Sequence, residues 1–146
     1  RNDPRVVVME RTNARYLTEL PEPVDLVTLD VSFISLDLIL PNAVSWLTAE
    51  GTIVALIKPQ FEAGPQHVEK GGVVRDAAVH RQVLEKVLAA AAELGLALRG
   101  LMPSPLRGPA GNVEFLAWWE VNAQALDLTA TIERCLKTGR GLQAGV

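Results

Sequence analysis

The chain has 146 residues, of which 49% are hydrophobic and 21% are charged, and its formal net charge is −3 at pH 7. This composition is typical of one folded domain and excludes an intrinsically disordered chain. It also excludes a surface built from a block of basic residues, although a partner domain could supply the positive charge that nucleic-acid binding needs.

Cysteine and histidine content excludes several kinds of site. A single cysteine, Cys135, rules out an internal disulfide and a cysteine-based zinc site, and it is expected to be a small packing residue. The two histidines, His67 and His80, do not stand at metal-ligand spacing, so no metal site is predicted. No apolar run reaches the roughly 18 residues of a membrane span. Without a signal peptide, a reducing, cytoplasmic setting is expected.

The first third of the chain predicts two strands and a helix. Residues 5–10 (RVVVME) are β-branched and predict the first strand, and a strand that begins so early suggests that an upstream portion is missing. Residues 24–33 (VDLVTLDVSF) are apolar on both faces, which predicts a second strand covered by helices on both sides. Residues 35–47 have helical spacing, with Pro41 at a bend or at the start of a turn.

The rest of the chain predicts three strands and two helices, separated by two glycine- and proline-rich loops. The predicted strands cover residues 51–58, 96–103 and 112–122, the helices 76–95 and 127–139, and the loops 59–75 and 104–111. Asp76 is a good N-cap, and Gly95 is a good helix stop. About eight residues join the last two strands, which is too short for a parallel crossover, so these strands should be antiparallel. The fold class is therefore α/β with a mostly parallel sheet and an antiparallel last strand.

Three ionisable residues are expected at one edge of this sheet. Asp30 ends the second strand, Lys58 ends the third, and Glu114 begins the antiparallel fifth. Ligands of open α/β sheets gather beyond the carboxyl ends of the parallel strands, so the three residues form a candidate site. Each residue also has a structural interpretation, with Asp30 as a helix cap, Lys58 reaching solvent on its long stem, and Glu114 facing water.

Four motifs in a fixed order favour the chemical interpretation. The segments LDVSFISL, LIKPQFE, KGGVVRD and GNVEFL resemble the methyltransferase domain of the FtsJ-like ribosomal RNA 2′-O-methyltransferases, in particular the haemolysin A or TlyA-type branch. The resemblance extends over residues 1–122. It implies a Rossmann-like class I methyltransferase fold, S-adenosylmethionine as the cofactor, and a ribose 2′-hydroxyl of ribosomal RNA as the methyl acceptor.

The resemblance also implies the roles of individual residues. The family works with a Lys-Asp-Lys-Glu tetrad, whose aspartate, second lysine and glutamate fall on Asp30, Lys58 and Glu114 as catalytic residues. Lys58 is the central one, and its role as a base or as an orienting group stays open, because burial favours a neutral amine whereas neighbouring carboxylates favour an ammonium.

Cofactor contacts are implied for four residues. The segment TNARYL resembles the part of the family that lies against the adenine, which implies that Asn13 and Ala14 bind the cofactor. Asp30 and Val31, at the end of the second strand, are implied as further cofactor-binding residues.

The sequence departs from the family pattern at its upstream end. The first lysine of the tetrad, the glycine-rich loop after the first strand and the acidic residue that holds the cofactor ribose have no counterpart in it. Residues 1–146 therefore resemble a partial methyltransferase domain, with an S4-type RNA-binding domain expected upstream. Alternatives are a non-catalytic binding module or a haemolysin-like factor on the same fold, although no cationic amphipathic helix supports membrane activity.

The partners implied are ribosomal RNA or a ribosomal subunit, and a second copy of the chain. In the family's sheet order, residues 5–10 do not pair with residues 24–31, although only about thirteen residues separate them. An exposed strand edge would then remain along residues 24–31, and such edges recruit partners. The sequence therefore predicts upstream residues or an intermolecular contact at this edge.

Overall fold

The computed structural model describes residues 2–143, and a four-stranded sheet lies at its centre. The strands are β1 (Val24–Leu29), β2 (Leu47–Ile57), β3 (Leu96–Pro103) and β4 (Phe115–Val121), in the spatial order β1-β2-β4-β3. β1 and β2 are parallel, and β4 is antiparallel to β2 and to β3. Three strands thus run in one direction and the last runs against them, which confirms the predicted α/β class and the antiparallel last strand.

Three of the four helices in the described part of the chain lie where the sequence predicts a helix, and the short second one does not. They are α1 (Leu40–Trp46), α2 (Pro59–Glu62), α3 (Ala77–Glu93) and α4 (Leu128–Gln143), with short 3-10 turns at Ala14–Tyr16, Leu36–Leu38 and Pro65–His67. Asp76 caps α3 by accepting a hydrogen bond of 2.8 Å from the Ala78 amide, and Gly95 ends the helix region with a φ of 81°. Two of the short helical elements fall in the predicted loop 59–75, because Pro59 and Pro65 each begin a helical turn.

The helices pack on one face of the sheet, and this face forms the core. Alternate residues of β2, namely Ile53, Ala55 and Ile57, are fully buried beneath them, as is Trp119 of β4. The core also holds Cys135, whose thiol pKa is raised to about 12 by burial, as expected for a packing residue.

The opposite face of the sheet is open, which contradicts the predicted cover on both sides of residues 24–33. Leu26 on β1 is 56% exposed, Met102 on β3 51% and Trp118 on β4 42%. The strand itself ends at Leu29, four residues before the predicted end. Apolar residues do point to both faces of the strand, but the helices of the described residues all pack on the other face. An apolar residue on a strand therefore does not show that a helix covers that face of the sheet.

Residues 5–10 do not form a strand, so that prediction is wrong. The segment has no strand or bridge assignment, and Val6, Val7, Val8 and Met9 are between 44% and 78% exposed. A β-branched run becomes a strand only when a neighbouring strand satisfies its backbone, and no strand of residues 2–143 lies beside it. Among the residues that the structure describes, β1 pairs only with β2, so the expectation that residues 5–10 do not pair with residues 24–31 is confirmed.

Within residues 2–143, no helix is both long enough and apolar enough to span a bilayer.

Candidate active site

Lys58 lies at the carboxyl end of β2 and its amine is enclosed by the turn that follows β1. Its Nζ is 2.6 Å from Oδ1 of Asp30 and donates a hydrogen bond of 3.2 Å to Oγ of Ser32. The side chain of Lys58 is only 12% exposed, whereas that of Asp30 is 75% exposed. Lys58 therefore does not reach out to solvent as the structural interpretation supposed, and its charge is held at the sheet edge with an accessible carboxylate beside it.

The parallel pairing of β1 and β2 explains how Asp30 and Lys58 meet. Leu29 pairs with Ala55 in the ladder, so both strands end at the same edge of the sheet. The residues that follow the two strands then emerge side by side, as expected for the ligand-binding edge of an α/β sheet.

Glu114 lies at the same edge but contacts a different residue. Phe115 pairs with Ile57, which places Glu114 at the level of Lys58. Glu114 is 5% exposed, and its Oε1 accepts a hydrogen bond of 2.8 Å from Nε2 of Gln60. Among the described residues, no hydrogen bond or ion pair joins Glu114 to Lys58, so the structure links Asp30 and Lys58 directly and Glu114 to the first turn of α2.

Asn112 fastens the glycine-rich turn at residues 69–73 to the start of β4. The side chain is buried, its Oδ1 accepts a hydrogen bond of 2.9 Å from the Val74 amide, and its Nδ2 donates one of 2.8 Å to the Gly72 carbonyl. The motifs KGGVVRD and GNVEFL therefore form one structural unit. Asn112 is a scaffold residue, which its position beside Glu114 in the sequence did not reveal.

A cavity of about 740 Å³ opens beside Gln60, and its walls are mostly apolar. Phe33, Phe61 and Pro109 line it, together with the backbone of the glycine-rich turn at Gly72. Oε1 of Gln60 is buried and accepts no hydrogen bond from the described residues. A mostly apolar cavity with a few fixed polar groups is typical of small-molecule and nucleotide sites, and this volume lies within their range.

Sequence reasoning missed three residues of this region. Ser32 binds the amine of Lys58, Gln60 binds Glu114, and Glu62 binds the turn after β1. The motif LIKPQFE contains Gln60 and Glu62, so the sequence did mark this segment. It did not identify their hydrogen-bond partners, because the register of the strands decides which residues of the two turns meet.

Asn13 and Ala14 are separate from these contacts. Oδ1 of Asn13 caps its own 3-10 turn by accepting a hydrogen bond of 3.0 Å from the Arg15 amide, and the Ala14 carbonyl accepts one of 3.0 Å from Nδ2 of Asn42. Within residues 2–143, no hydrogen bond joins Asn13 or Ala14 to Asp30 or to Val31. Their role as cofactor contacts remains a prediction.

Curated proteins are similar to this chain over most of its length. A 16S/23S rRNA (cytidine-2′-O)-methyltransferase, TlyA, of Mycobacterium tuberculosis is 51% identical over 122 residues, which are 81% of this chain and 45% of the relative. Hemolysin A of Brachyspira hyodysenteriae is 37% identical over 123 residues, which are 80% of this chain and 50% of the relative. The chain thus spans about half the length of these curated relatives.

This chain is also similar to a solved structure and to a family model. A structure from Streptococcus thermophilus, described as a candidate hemolysin, superposes with a TM-score of 0.86 at 39% identity and covers 98% of this chain and 53% of that one. The model of the FtsJ-like methyltransferases matches residues 1–121. Since this match covers most of the 146 residues, the chain belongs to the FtsJ-like methyltransferase family, whose reaction requires a methyl donor.

Proposed function

We propose that the protein containing this chain transfers a methyl group from S-adenosylmethionine to a ribose 2′-hydroxyl of ribosomal RNA. The observation that carries the proposal is the Lys58–Asp30 pair, with 2.6 Å between Nζ and Oδ1, at the carboxyl edge of parallel strands. Family membership and the activity named for the TlyA relative support the same reaction class.

Lys58 acts on the acceptor hydroxyl in this proposal. A ribose hydroxyl is a poor nucleophile until its proton is shared or removed. An ammonium can orient the hydroxyl and stabilise the negative charge that develops on oxygen, while the hydroxyl proton passes to water as the oxygen takes the methyl group. Asp30 and Ser32 fix the amine from one side, which leaves its remaining donor capacity for the acceptor. Preorganisation of this kind avoids rearrangement during the reaction.

Glu114 acts through Gln60. Its buried carboxylate accepts the amide proton of Gln60 and so fixes which way the amide points. Gln60 is also one of the residues that line the 740 Å³ cavity. We assign this cavity to the acceptor nucleotide, with Gln60 as one of its walls.

Asp30, Val31, Asn13 and Ala14 would hold the cofactor. The chemistry of this edge fits a sulfonium compound, because the carboxylate of Asp30 is 75% exposed and carries the opposite charge. S-adenosylmethionine, when bound, supplies the activated methyl group. The glycine-rich loop and the ribose-binding acid of the family would come from residues outside the chain.

Ribosomal RNA or a ribosomal subunit is the proposed partner, and the cytoplasm is the proposed location. The net charge of −3 gives the chain no general attraction for RNA, so an S4-type domain upstream would supply the basic surface. The alternative is a haemolysin-like factor built on the same fold, which the name of the Brachyspira relative favours.

A methyl-transfer assay tests the proposal. The complete native protein is incubated with isotope-labelled S-adenosylmethionine and ribosomal subunits or RNA from cells that lack the gene. The expected result is label in ribosomal RNA, located on a ribose 2′-oxygen by nuclease digestion and mass spectrometry. Label on a base, or none in either substrate, would overturn the assigned reaction.

A further inference from the structure

Two short segments run side by side at the edge of the sheet, and contacts fasten them together at both ends. Residues 30–36 follow β1 and residues 58–62 follow β2, and we call them the paired turns. At one end, Lys58 contacts Asp30 at 2.6 Å and Ser32 at 3.2 Å. At the other end, the Glu62 carboxylate binds the last two residues of the first turn.

Glu62 is held by a full set of partners. Its Oε2 accepts a hydrogen bond of 2.7 Å from Oγ of Ser35, and its Oε1 accepts one of 2.8 Å from the Leu36 amide. Lys86 of α3 lies 3.5 Å from Oε2 and also pairs with Asp37 at 2.9 Å. The side chain of Glu62 is only 2% exposed. A buried carboxylate is costly unless it is paired and hydrogen-bonded, and Glu62 meets both conditions.

Backbone strain lies between the two ends of the paired turns. Phe33 has a φ of 61°, which is an outlier for a bulky residue, and it is 90% exposed. Its ring centroid lies 4.8 Å from that of Phe61, so the middle of the paired turns is also in contact. A strained backbone conformation persists only where the surrounding structure holds it in place. Here Glu62 binds Ser35 and the Leu36 amide, and so it fixes the backbone between Phe33 and the Leu36–Leu38 turn.

We propose that Glu62 is a positioning residue for methyl transfer, which holds the turn of Asp30 and Ser32 in the geometry that the Lys58 amine requires. The inference rests on the proposed function. Stability alone does not explain a buried carboxylate at this place, because apolar residues of similar volume generally stabilise as well as a buried ion pair does. The carboxylate instead gives directional bonds to one hydroxyl and one amide of the turn that carries Asp30.

The test compares Glu62→Gln with Lys86→Met in the complete protein. Glutamine keeps the volume but can accept only one of the two hydrogen bonds, because an amide NH2 group replaces the other carboxylate oxygen, so we expect the turn to loosen. Lys86→Met removes the cation beside Oε2 and should lower Tm, because the buried carboxylate is left unpaired, whereas both hydrogen-bond donors to Glu62 remain. At saturating cofactor and a temperature where both variants are folded, Glu62→Gln should lose on the order of 10-fold to 100-fold in kcat. Cofactor Kd should hold within about twofold for both variants, and so should kcat of Lys86→Met.

Equal loss of kcat in both variants, in proportion to their loss of Tm, would reduce Glu62 to a stabilising residue. Ser35→Ala provides a second test should Glu62→Gln not fold. It removes one of the two bonds and should give an intermediate kcat. Combined with Glu62→Gln it should add little, because both changes break the same contact. An unchanged kcat in Ser35→Ala, or a loss that adds to that of Glu62→Gln, would contradict the inference.

Hydrogen exchange separates this inference from the proposed function. Amides of residues 30–36 should exchange at least about tenfold faster in Glu62→Gln than in Lys86→Met, whatever the reaction catalysed. If the wild-type protein methylates no RNA, the proposed function fails and this exchange difference still tests the positioning. Unchanged exchange in residues 30–36 would overturn the role of Glu62 with or without methyl transfer.

Discussion

At the scale of single residues, Lys58 has the most direct part in the proposed chemistry. Lys58→Ala in the complete protein removes the donor to the acceptor hydroxyl and leaves Asp30 without its partner. We expect kcat for RNA methylation to fall by about 10²-fold to 10⁴-fold, with little change in cofactor affinity, because the lysine serves the acceptor. Methyl transfer and calorimetric titration measure the two quantities. Lys137→Ala, at an exposed position of α4, is the control, and near-normal turnover of Lys58→Ala would contradict the assigned role.

His80 makes the stability of the fold depend on pH. Burial lowers its pKa from the ordinary value of 6.5, and Arg107 adds to this, while the hydrogen bond to the Val74 carbonyl and the charge of Asp76 act against it. The unfolded chain therefore binds a proton near pH 6.5 that the folded chain resists. The contribution to stability is complete above this pH and is lost as the pH falls below it.

Urea unfolding at pH 7.5 and 5.5 measures this effect. The wild type should lose free energy of unfolding between the two pH values, and His80→Gln should lose less, because it has no group to protonate. The glutamine can still donate to the Val74 carbonyl, so the comparison isolates the charge. An equal pH dependence in the two proteins would show that His80 does not titrate in this range.

At the scale of elements, the loop at residues 104–111 closes tightly over Glu114. A Cβ atom on Gly108 would lie 2.7 Å from Oε1 of Glu114, which is closer than real contacts allow. Gly108→Ala should therefore push the carboxylate away from Gln60 and lower kcat by about tenfold, with a small loss of stability. Gly139→Ala is the matched control, since its Cβ would meet only Pro103 at 3.6 Å. Full activity of Gly108→Ala would show that the Glu114–Gln60 contact is dispensable.

Elements with local signals were predicted well. α3 begins after the capping residue Asp76 and ends before Gly95, and β3 covers residues 96–103 as expected, because caps and periodicity are encoded in adjacent residues. Residues 5–10 have the composition of a strand and are not one, because a strand needs a partner that composition does not provide.

The candidate site was predicted in part for the same reason. Positions at strand ends placed Asp30 and Lys58 at one edge, and the structure brings them to 2.6 Å. The partner of Glu114 was not predicted, because the hydrogen bond to Gln60 depends on how α2 turns after β2. Glu62 and Ser35 are 27 positions apart, and a contact over that separation leaves no periodic signal in one sequence.

At the scale of the whole molecule, the distribution of cofactor contacts leads to a prediction on affinity. The chain offers an exposed Asp30 and the segment at Asn13, and its sequence contains no G-x-G-x-G-like run before residue 51. Backbone amides of such glycine-rich loops supply much of the binding to nucleotide-like cofactors. Residues 1–146 alone should therefore bind S-adenosylmethionine weakly, with a Kd well above about 1 μM in calorimetry. Submicromolar binding by this segment would show that the described residues form a complete cofactor site.

The open face and the free edge of the sheet lead to the last prediction, which concerns association. Across the open face, Val54 aligns with Trp118, and Leu56 aligns with Leu116 and Met102, so partly exposed apolar side chains form a continuous surface. β1 lies at the edge of the sheet and pairs only with β2, so its outer backbone groups have no strand beside them within residues 2–143. Exposed apolar faces and unpaired strand edges both attract further copies of a chain.

Residues 1–146 alone should thus associate reversibly as their concentration rises, which sedimentation velocity can measure. Leu26, on β1 and 56% exposed, belongs to both the edge and the open face. Leu26→Lys should weaken the association at least about tenfold, because a charge at a strand edge must be desolvated when a second copy docks. Leu106→Lys changes a leucine in the loop 104–111 that is 76% exposed, and it should have no effect. A chain that stays monomeric at high concentration, or equal effects of the two lysines, would show that this face and edge do not recruit a second copy.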